Sequence, residues 1–314
     1  TNHQKLSSFD VNESNASWSP NGDRIAFTAK SKEGTELFIF WKNSGTIARI
    51  SQLERSPSNL IWSPDGKHIA FNMFVTAKEL QLVKAPSKPK GAKWAEPPRI
   101  TTRFKHEADG SGYMNPGFRH IFIIPAEGGT AKQISQGDFN HRGKMVWSPD
   151  GENIYFSSNR NEDWEYDFRN SEIYKLNVKT GDVKALTDRN GPDRDPSISP
   201  DGKWLAYTGF NDKVQTYQVS RLYIMPTDGS SKKEIDLKLD RSVNSLHWSM
   251  DGNGIYFMYD DKGNTKIGKS DLEGNWELVA ENVGGTSIGR PYGGGSYSVS
   301  SDGVISYTHA TPYH

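Results

Sequence analysis

Trp62-Ser63-Pro64-Asp65-Gly66, followed at once by His68-Ile69-Ala70-Phe71, decides the fold. Proline presets φ for the first turn position, aspartate tolerates the bridge region, and glycine supplies the positive φ that closes the turn. The β-branched and aromatic residues on either side suit half-buried strands, so the stretch is a hairpin. Working outward, Trp18-Ser19-Pro20-Asn21-Gly22 leads into Ile25-Ala26-Phe27, and Trp147-Ser148-Pro149-Asp150-Gly151 into Ile154-Tyr155-Phe156. Ser199-Pro200-Asp201-Gly202 leads into Trp204-Leu205-Ala206-Tyr207. Two looser copies are Trp248-Ser249-Met250-Asp251-Gly252 and Ser300-Ser301-Asp302-Gly303.

A second strand pair lies between hairpins, as in Glu172-Ile173-Tyr174-Lys175-Leu176, the turn Lys179-Thr180-Gly181-Asp182, and Val183-Lys184-Ala185-Leu186-Thr187. Four strands per repeat make the blade of a β-propeller. The motif glycines at 22, 66, 151, 202, 252 and 303 are separated by 44, 85, 51, 50 and 51 residues. Blade-length periods of roughly 40–50 residues are expected for such arrays. The sequence therefore predicts an all-β, single-domain propeller over 1–314 with six repeats of four-stranded blades. The 85-residue step predicts an insertion at about 76–118, between the second and third strands of the second blade.

Outer strands finish with Ile50-Ser51, Ile134-Ser135 and Leu186-Thr187, each 16 or 17 residues before the next motif glycine, and Leu6-Ser7 bears the same relation to Gly22. The chain is thus expected to begin on an outer strand and to stop at His314 after two inner strands. Either the N-terminal strand completes the last blade and clasps the ring, or both ends were cut from something longer and the last blade is incomplete.

Composition removes several function classes. Lys plus Arg (38) balances Asp plus Glu (38), so no basic footprint points to nucleic acid or an anionic membrane. Cysteine is absent, which excludes disulfides, thiolate metal sites and a cysteine nucleophile. There is no run of 18 apolar residues, and the chain as given reads as soluble, cytoplasmic or periplasmic. Gly110-Ser111-Gly112 and Gly294-Gly295-Ser296 do not fit the Gly-x-Ser-x-Gly nucleophile turn, and no helix follows either. The eight histidines show no i, i+4 metal spacing, so no catalytic residue, metal or cofactor is expected. His68 and His247, inside the repeat, read as packed or edge histidines.

The hairpins resemble those of the periplasmic translocation propeller TolB and of the propellers of prolyl oligopeptidase-type serine peptidases. Longer strings narrow the likeness. Asn159-Arg160-Asn161-Glu162-Asp163-Trp164-Glu165-Tyr166, Arg169-Asn170-Ser171-Glu172-Ile173-Tyr174 and Leu186-Thr187-Asp188-Arg189-Asn190-Gly191-Pro192-Asp193 look like a bacterial acylaminoacyl-peptidase-like branch. So do Tyr259-Asp260-Asp261-Lys262-Gly263-Asn264-Thr265-Lys266 and the run Gly284 to Ser296. Within the insertion, Asp109-Gly110-Ser111-Gly112-Tyr113 and Gly117-Phe118-Arg119-His120-Ile121-Phe122 continue the match. The resemblance implies an N-terminal propeller that precedes an α/β-hydrolase domain carrying a Ser-Asp-His triad. It implies that the propeller caps the cavity, admits short peptides and helps hold their N-terminal end. This chain alone is then expected to be inactive, its missing partner being the C-terminal hydrolase domain and its ligand a short peptide substrate. A stand-alone, TolB-like protein-binding propeller is the alternative. A propeller enzyme with its site in the channel is a third reading, without a clustered acid–base signature.

Three loops carry residues that hairpins do not need. Asp163-Trp164-Glu165-Tyr166 with Arg169 mixes carboxylates, aromatic rings and a cation, and can bind a peptide ammonium by charge and by aromatic face. A solvated loop whose charges pair with each other is the other reading, and both stand at this point. Arg290-Pro291-Tyr292, before three glycines, can meet a carboxylate or form a plain flexible loop. The insertion is stiffened by Pro86, Pro89, Pro97 and Pro98 and solvated by Lys84, Lys88, Lys90 and Lys93, with Trp94 its expected anchor. The candidate substrate-binding residues are therefore Trp164, Glu165, Tyr166, Arg169, Arg290 and Tyr292.

Overall fold

The computed structural model describes residues 6–7, 10–78, 86–95, 99–284 and 294–309. Blade 1 is β1 (Glu13–Trp18), β2 (Arg24–Lys30), β3 (Thr35–Trp41) and β4 (Thr46–Arg49). Blade 2 begins with β5 (Ser58–Trp62) and β6 (His68–Thr76). The insertion follows with a small hairpin, β7 (Glu107–Ala108) and β8 (Gly112–Tyr113), before β9 (Gly117–Pro125) and β10 (Lys132–Gln133) complete the blade. Blade 3 is β11 (Met145–Trp147), β12 (Asn153–Ser158), β13 (Glu172–Asn177) and β14 (Val183–Ala185). Blade 4 is β15 (Asp193–Ile198), β16 (Trp204–Gly209), β17 (Arg221–Pro226) and β18 (Lys233–Ile235). Blade 5 is β19 (Val243–Trp248), β20 (Gly254–Asp261), β21 (Asn264–Asp271) and β22 (Trp276–Val283).

The sixth repeat corrects the expectation. It forms only β23 (Tyr297–Val299) and β24 (Ile305–Tyr307), a two-stranded sheet. The described residues thus hold five four-stranded blades, not six. The hairpin turn needs only its own residues, whereas an outer pair needs a further run of chain. Only Thr308 and His309 are described after β24. The N-terminal clasp falls on residues 1–9, of which only Leu6 and Ser7, without strand, are among the described residues.

Each turn is built as its residues dictate. Gly22, Gly66, Gly151, Gly202, Gly252 and Gly303 all have φ near +70 to +84, and in the first five turns the serine hydroxyl of the motif accepts the N–H that restarts the next strand, as in His68 N–H to Ser63 Oγ at 2.9 Å. Asp65 accepts from both Ser63 Oγ (2.6 Å) and Lys67 N (3.0 Å), locking the turn. That hydroxyl bond, the first among its causes, holds the Asp65 carboxyl below the usual range.

Blades stack through their faces. Leu37, Ile39 and Ile50 of blade 1 pack with Trp62, Phe71 and Ile124 of blade 2. Ile121 and Ile134 meet Trp147, Phe156 and Leu176 across the next seam. Leu222 and Leu237 of blade 4 meet Leu246, Trp248 and Phe257 of blade 5. Along four inner strands the register slips and one residue takes positive φ: Asn15, Asn59, Asp195 and Ser245. Each stands three residues before the hairpin aromatic or its equivalent, at positions 18, 62, 198 and 248. Blade 3 has Lys144 at that place, and its Nζ donates to Leu246 O of blade 5 at 3.0 Å.

Candidate functional site

Antiparallel order puts alternate connections on opposite rims. The Ser-Pro-Asp-Gly turns and the outer-pair turns share one rim. The other receives the passages between blades and the links from second to third strand. Those links are 31–34, 77–116, 159–171, 210–220 and 262–263, so the long loops of blades 2, 3 and 4 fall together. A cavity of about 490 Å³ opens on the hairpin rim, between Pro64, Pro125, Trp147 and Pro149, away from those loops.

The 159–171 loop is a compact turn. Asn159 Nδ2 donates to Asp167 O at 2.7 Å, and the Tyr166 and Asp167 amides donate to Asp163 O at 2.8 and 3.0 Å. Trp164 then meets the edge of Phe118, the second residue of β9, at 6.0 Å between centroids. Over both rings lies Arg103 of the insertion, its guanidinium carbon 4.0 Å from the Phe118 centroid and 5.4 Å from that of Trp164. Arg103 Nε stands 3.9 Å from Glu165 Oε1, and the Phe104 amide donates to Glu165 Oε2 at 3.3 Å. Burial pushes the Arg103 pKa down, and Glu165 opposes that shift. Phe104 completes the contact by tilting against Tyr166 at 5.7 Å.

The structure therefore brings Trp164, Glu165 and Tyr166 together with a segment of the insertion. Arg169 stands apart from that cluster. Its Nη1 reaches Gln215 O in the blade 4 loop at 3.5 Å, and its carbonyl accepts from Arg194 Nη2 at 3.3 Å. The loop's charges do not simply pair with each other, since Glu165 is met by Arg103. Trp94 is 46% exposed, and among the described residues it is Arg103 and Phe104 that tie the insertion to the 159–171 loop. Arg290 and Tyr292 lie outside the described residues.

Two polar clusters beneath this rim escaped sequence reasoning. His141 is buried, donates from Nδ1 to Arg119 O at 3.0 Å, and accepts Arg160 Nη1 at Nε2 at 2.7 Å. Its ring lies 5.3 Å from His120. Burial, above all, pushes the His141 pKa down to about 3. At the seam of blades 3 and 4, Glu172 and Asp193 are both buried, and Thr187 Oγ1 donates to the Glu172 carboxylate. Arg189 Nε stands 3.0 Å from Asp193 Oδ1, with its guanidinium 3.9 Å over Tyr223. Burial pushes Glu172 up to about 7 and Asp193 to about 6, and each carboxylate raises a neighbour. The signal was present as Leu186-Thr187 and Asp193, but nothing local says that strand ends 15 and 21 residues from Glu172 converge on it.

Among the described residues no group of three or more His, Asp or Glu is placed to hold a metal ion. No helix is long and apolar enough to cross a membrane.

Fold and loop rim together define a β-propeller that carries its variable chemistry on one face. The family described as the dipeptidyl peptidase IV N-terminal region matches residues 72–208, which include the insertion and the 159–171 loop. Dipeptidyl-peptidase 5 of Porphyromonas gingivalis is 27% identical over 173 residues, covering 51% of this chain and 24% of that protein. The chain thus spans about a quarter of that relative's length. Among solved structures, Pyrococcus horikoshii acylaminoacyl peptidase superposes with a TM-score of 0.64 at 17% identity, over 85% of this chain and 38% of that one. A putative TolB from Agrobacterium tumefaciens gives 0.56 at 17% identity, over 88% of this chain and 83% of its own. At such identities the superpositions speak for the fold. The chain carries a propeller of the type found at the N-terminus of prolyl oligopeptidase-family peptidases.

Proposed function

We propose that this propeller is the non-catalytic, substrate-gating part of a serine peptidase and helps hold the N-terminal end of short peptides at its loop rim. The observation that supports this most is the setting of Glu165. Its carboxylate takes one main-chain bond from Phe104 and only a loose 3.9 Å contact from Arg103. A carboxylate offers about four acceptor sites, so capacity remains for an ammonium. Tyr166 and Phe104, 75% and 72% exposed, supply aromatic faces next to it. Arg169, Arg290 and Tyr292 are assigned to the same rim role, toward the carbonyls and carboxylates of the peptide. The partner is an α/β-hydrolase domain that supplies the nucleophile.

The test is titration of the chain with tripeptides, followed by the shifts of the Trp164 indole resonance. Free-amine peptides shift it, N-acetylated ones do not, and Glu165→Gln weakens the free-amine binding at least tenfold. Equal binding of both peptides sinks the ammonium role. A Gly-x-Ser-x-Gly motif within an α/β domain encoded downstream supports the peptidase assignment, and a stop codon there overturns it.

The second reading is a stand-alone, TolB-like protein-binding propeller. It is favoured by the superposition that covers 83% of the Agrobacterium protein without calling on a second domain. Peptide titrations that leave Trp164 untouched would turn attention to it.

A further inference from the structure

On the hairpin rim, Arg24 fills the seam between blades 1 and 2. It stands just ahead of Ile25, the residue paired with Trp18, and its guanidinium carbon lies 4.9 Å from the ring centroid of Trp62 in blade 2. Its Nη2 donates to the carbonyl of the turn glycine, Gly66, at 2.8 Å. Nη1 donates to Glu127 Oε1 at 3.1 Å, and Nε lies 3.4 Å from Asp23 Oδ1. The side chain is only 13% exposed. Indole face, turn carbonyl and carboxylates together make a guanidinium seat between two blades.

The next seam repeats the seat around a shorter side chain. His68 holds the place of Arg24, just ahead of Ile69, the partner of Trp62. Trp147 and Gly151 of blade 3 hold the places of Trp62 and Gly66. An imidazole does not reach as far as a guanidinium, and His68 stands exposed. The cavity of about 490 Å³ lies here, lined by His68, Trp147 and Gly151 together. A Cβ on Gly66 would meet Arg24 Nη2 at 3.1 Å, whereas one on Gly151 would meet nothing nearer than Pro64 Cδ at 4.0 Å. The space that Arg24 occupies in one seam is therefore open in the next. Asp65 and Asp150, on the turns of blades 2 and 3, also line it, and they outnumber its single ammonium, that of Lys132. The turn serine, first among the causes, holds each carboxyl below the usual range, Ser63 for Asp65 and Ser148 for Asp150. Both stay charged at neutral pH.

We infer that this cavity is a binding site for an arginine side chain presented by a partner polypeptide. Arg24 assigns the atoms. The guanidinium plane lies over Trp147, one of its nitrogens donates to Gly151 O, and Asp65 and Asp150 supply the negative charge that Asp23 and Glu127 supply to Arg24. Arginine suits the seat better than lysine, because its flat, weakly hydrated cation stacks on indole and donates in several directions at once. Pro64, Pro125 and Pro149, all exposed beside the cavity, offer apolar rests for the residues flanking that arginine, which favours a polypeptide over a free guanidine. The site lies on the rim opposite the 159–171 loop and is independent of the peptide role proposed there.

The experiment titrates the full chain with acetyl-Ala-Arg-Ala-amide, blocked at both ends, and follows the Trp147 indole resonance, identified by its nuclear Overhauser contacts with Ile134. The arginine peptide shifts it saturably. The citrulline peptide keeps the shape without the charge, the lysine peptide keeps the charge without the plane, and each binds at least tenfold more weakly. His68→Arg supplies from blade 2 the side chain that Arg24 supplies from blade 1, so it raises Tm by a few degrees and abolishes the shift. His68→Ala leaves the cavity open and binds the arginine peptide as the parent does. Equal binding of the lysine peptide overturns the guanidinium assignment, and binding that survives His68→Arg overturns its location. Agmatine held as tightly as the peptide overturns the choice of a polypeptide in favour of a small guanidine. No shift of Trp147 at millimolar arginine peptide overturns the inference altogether.

Discussion

Glu172 and Asp193 form a buried acid pair, with Thr187 Oγ1 on Glu172 and the Arg189 guanidinium on Asp193. A carboxyl whose folded pKa is raised keeps its proton in the native state after the unfolded chain has released it. For Glu172 that window runs from the ordinary 4.5 up to about 7, so its contribution is fully present below the window and is lost as pH rises through it. The loss is on the order of 3 kcal/mol at most. His141 and His247 act in the opposite sense. Burial holds them down to about 3 and about 4, so they contribute stability that is lost as pH falls below 6.5. The stability that the parent chain has over Glu172→Gln is therefore expected to shrink as pH rises from about 4.5 to about 7, read as the difference between their urea midpoints at each pH. A difference that does not change with pH would place the proton elsewhere. None of this was legible beforehand, because Glu172 and Asp193 are ordinary charged residues until Ser171 and Pro192 pair and bury both.

At the scale of the element, the hairpins were readable because each is closed by residues a few positions apart. The outer-strand endings were visible as a recurring Ile/Leu-Ser/Thr, but their purpose was not. Ser51 Oγ accepts the Leu37 amide at 2.8 Å and donates to the wholly buried Glu36 at 2.5 Å, while Leu53 N supports the same carboxylate at 3.1 Å. Removing that hydroxyl leaves both partners short of a bond, so Ser51→Ala is expected to cost about 1–3 kcal/mol in denaturant unfolding. A loss below a few tenths would mean that water replaces it. The return of the insertion into β9 has its own requirement. Gly117 has φ +144, and a Cβ there would stand 2.2 Å from Val75 O, a main-chain atom that cannot turn aside. Gly117→Ala is expected to destabilise by about 2 kcal/mol or more and to shift Phe118 against Trp164, readable in near-ultraviolet circular dichroism. Arg103 was not legible as an anchor of the insertion, because the ring faces and the carboxylate it gains together come from β9 and from the 159–171 loop, distant in sequence. Arg103→Ala is expected to leave Tm nearly unchanged and to speed proteolysis within 99–106.

For the whole molecule, the repeat period made the propeller plain and overcounted its blades, because a turn motif reports a hairpin and not the pair that should follow. Among the described residues each sheet packs chiefly on its neighbours, with the Lys144 bond to blade 5 reaching further. Stability in such arrays is a sum of units and seams, so sheets with one seam open first. Hydrogen exchange is expected to be fastest in β23–β24 and β1, and slowest in blades 3 and 4; uniform protection would show a single cooperative unit. The two rims also divide labour over time. Blade 2 keeps nine consecutive pairs between β6 and β9, from His68 with Pro125 to Thr76 with Gly117, although about 40 residues intervene. Closing so long a loop costs only about 2 kcal/mol more than closing a short one. The sheet is thus indifferent to its cargo. Unrelated segments of similar length can be spliced between Thr76 and Gly117, which makes this rim a ready graft site and lets new specificities accumulate without renegotiating the fold.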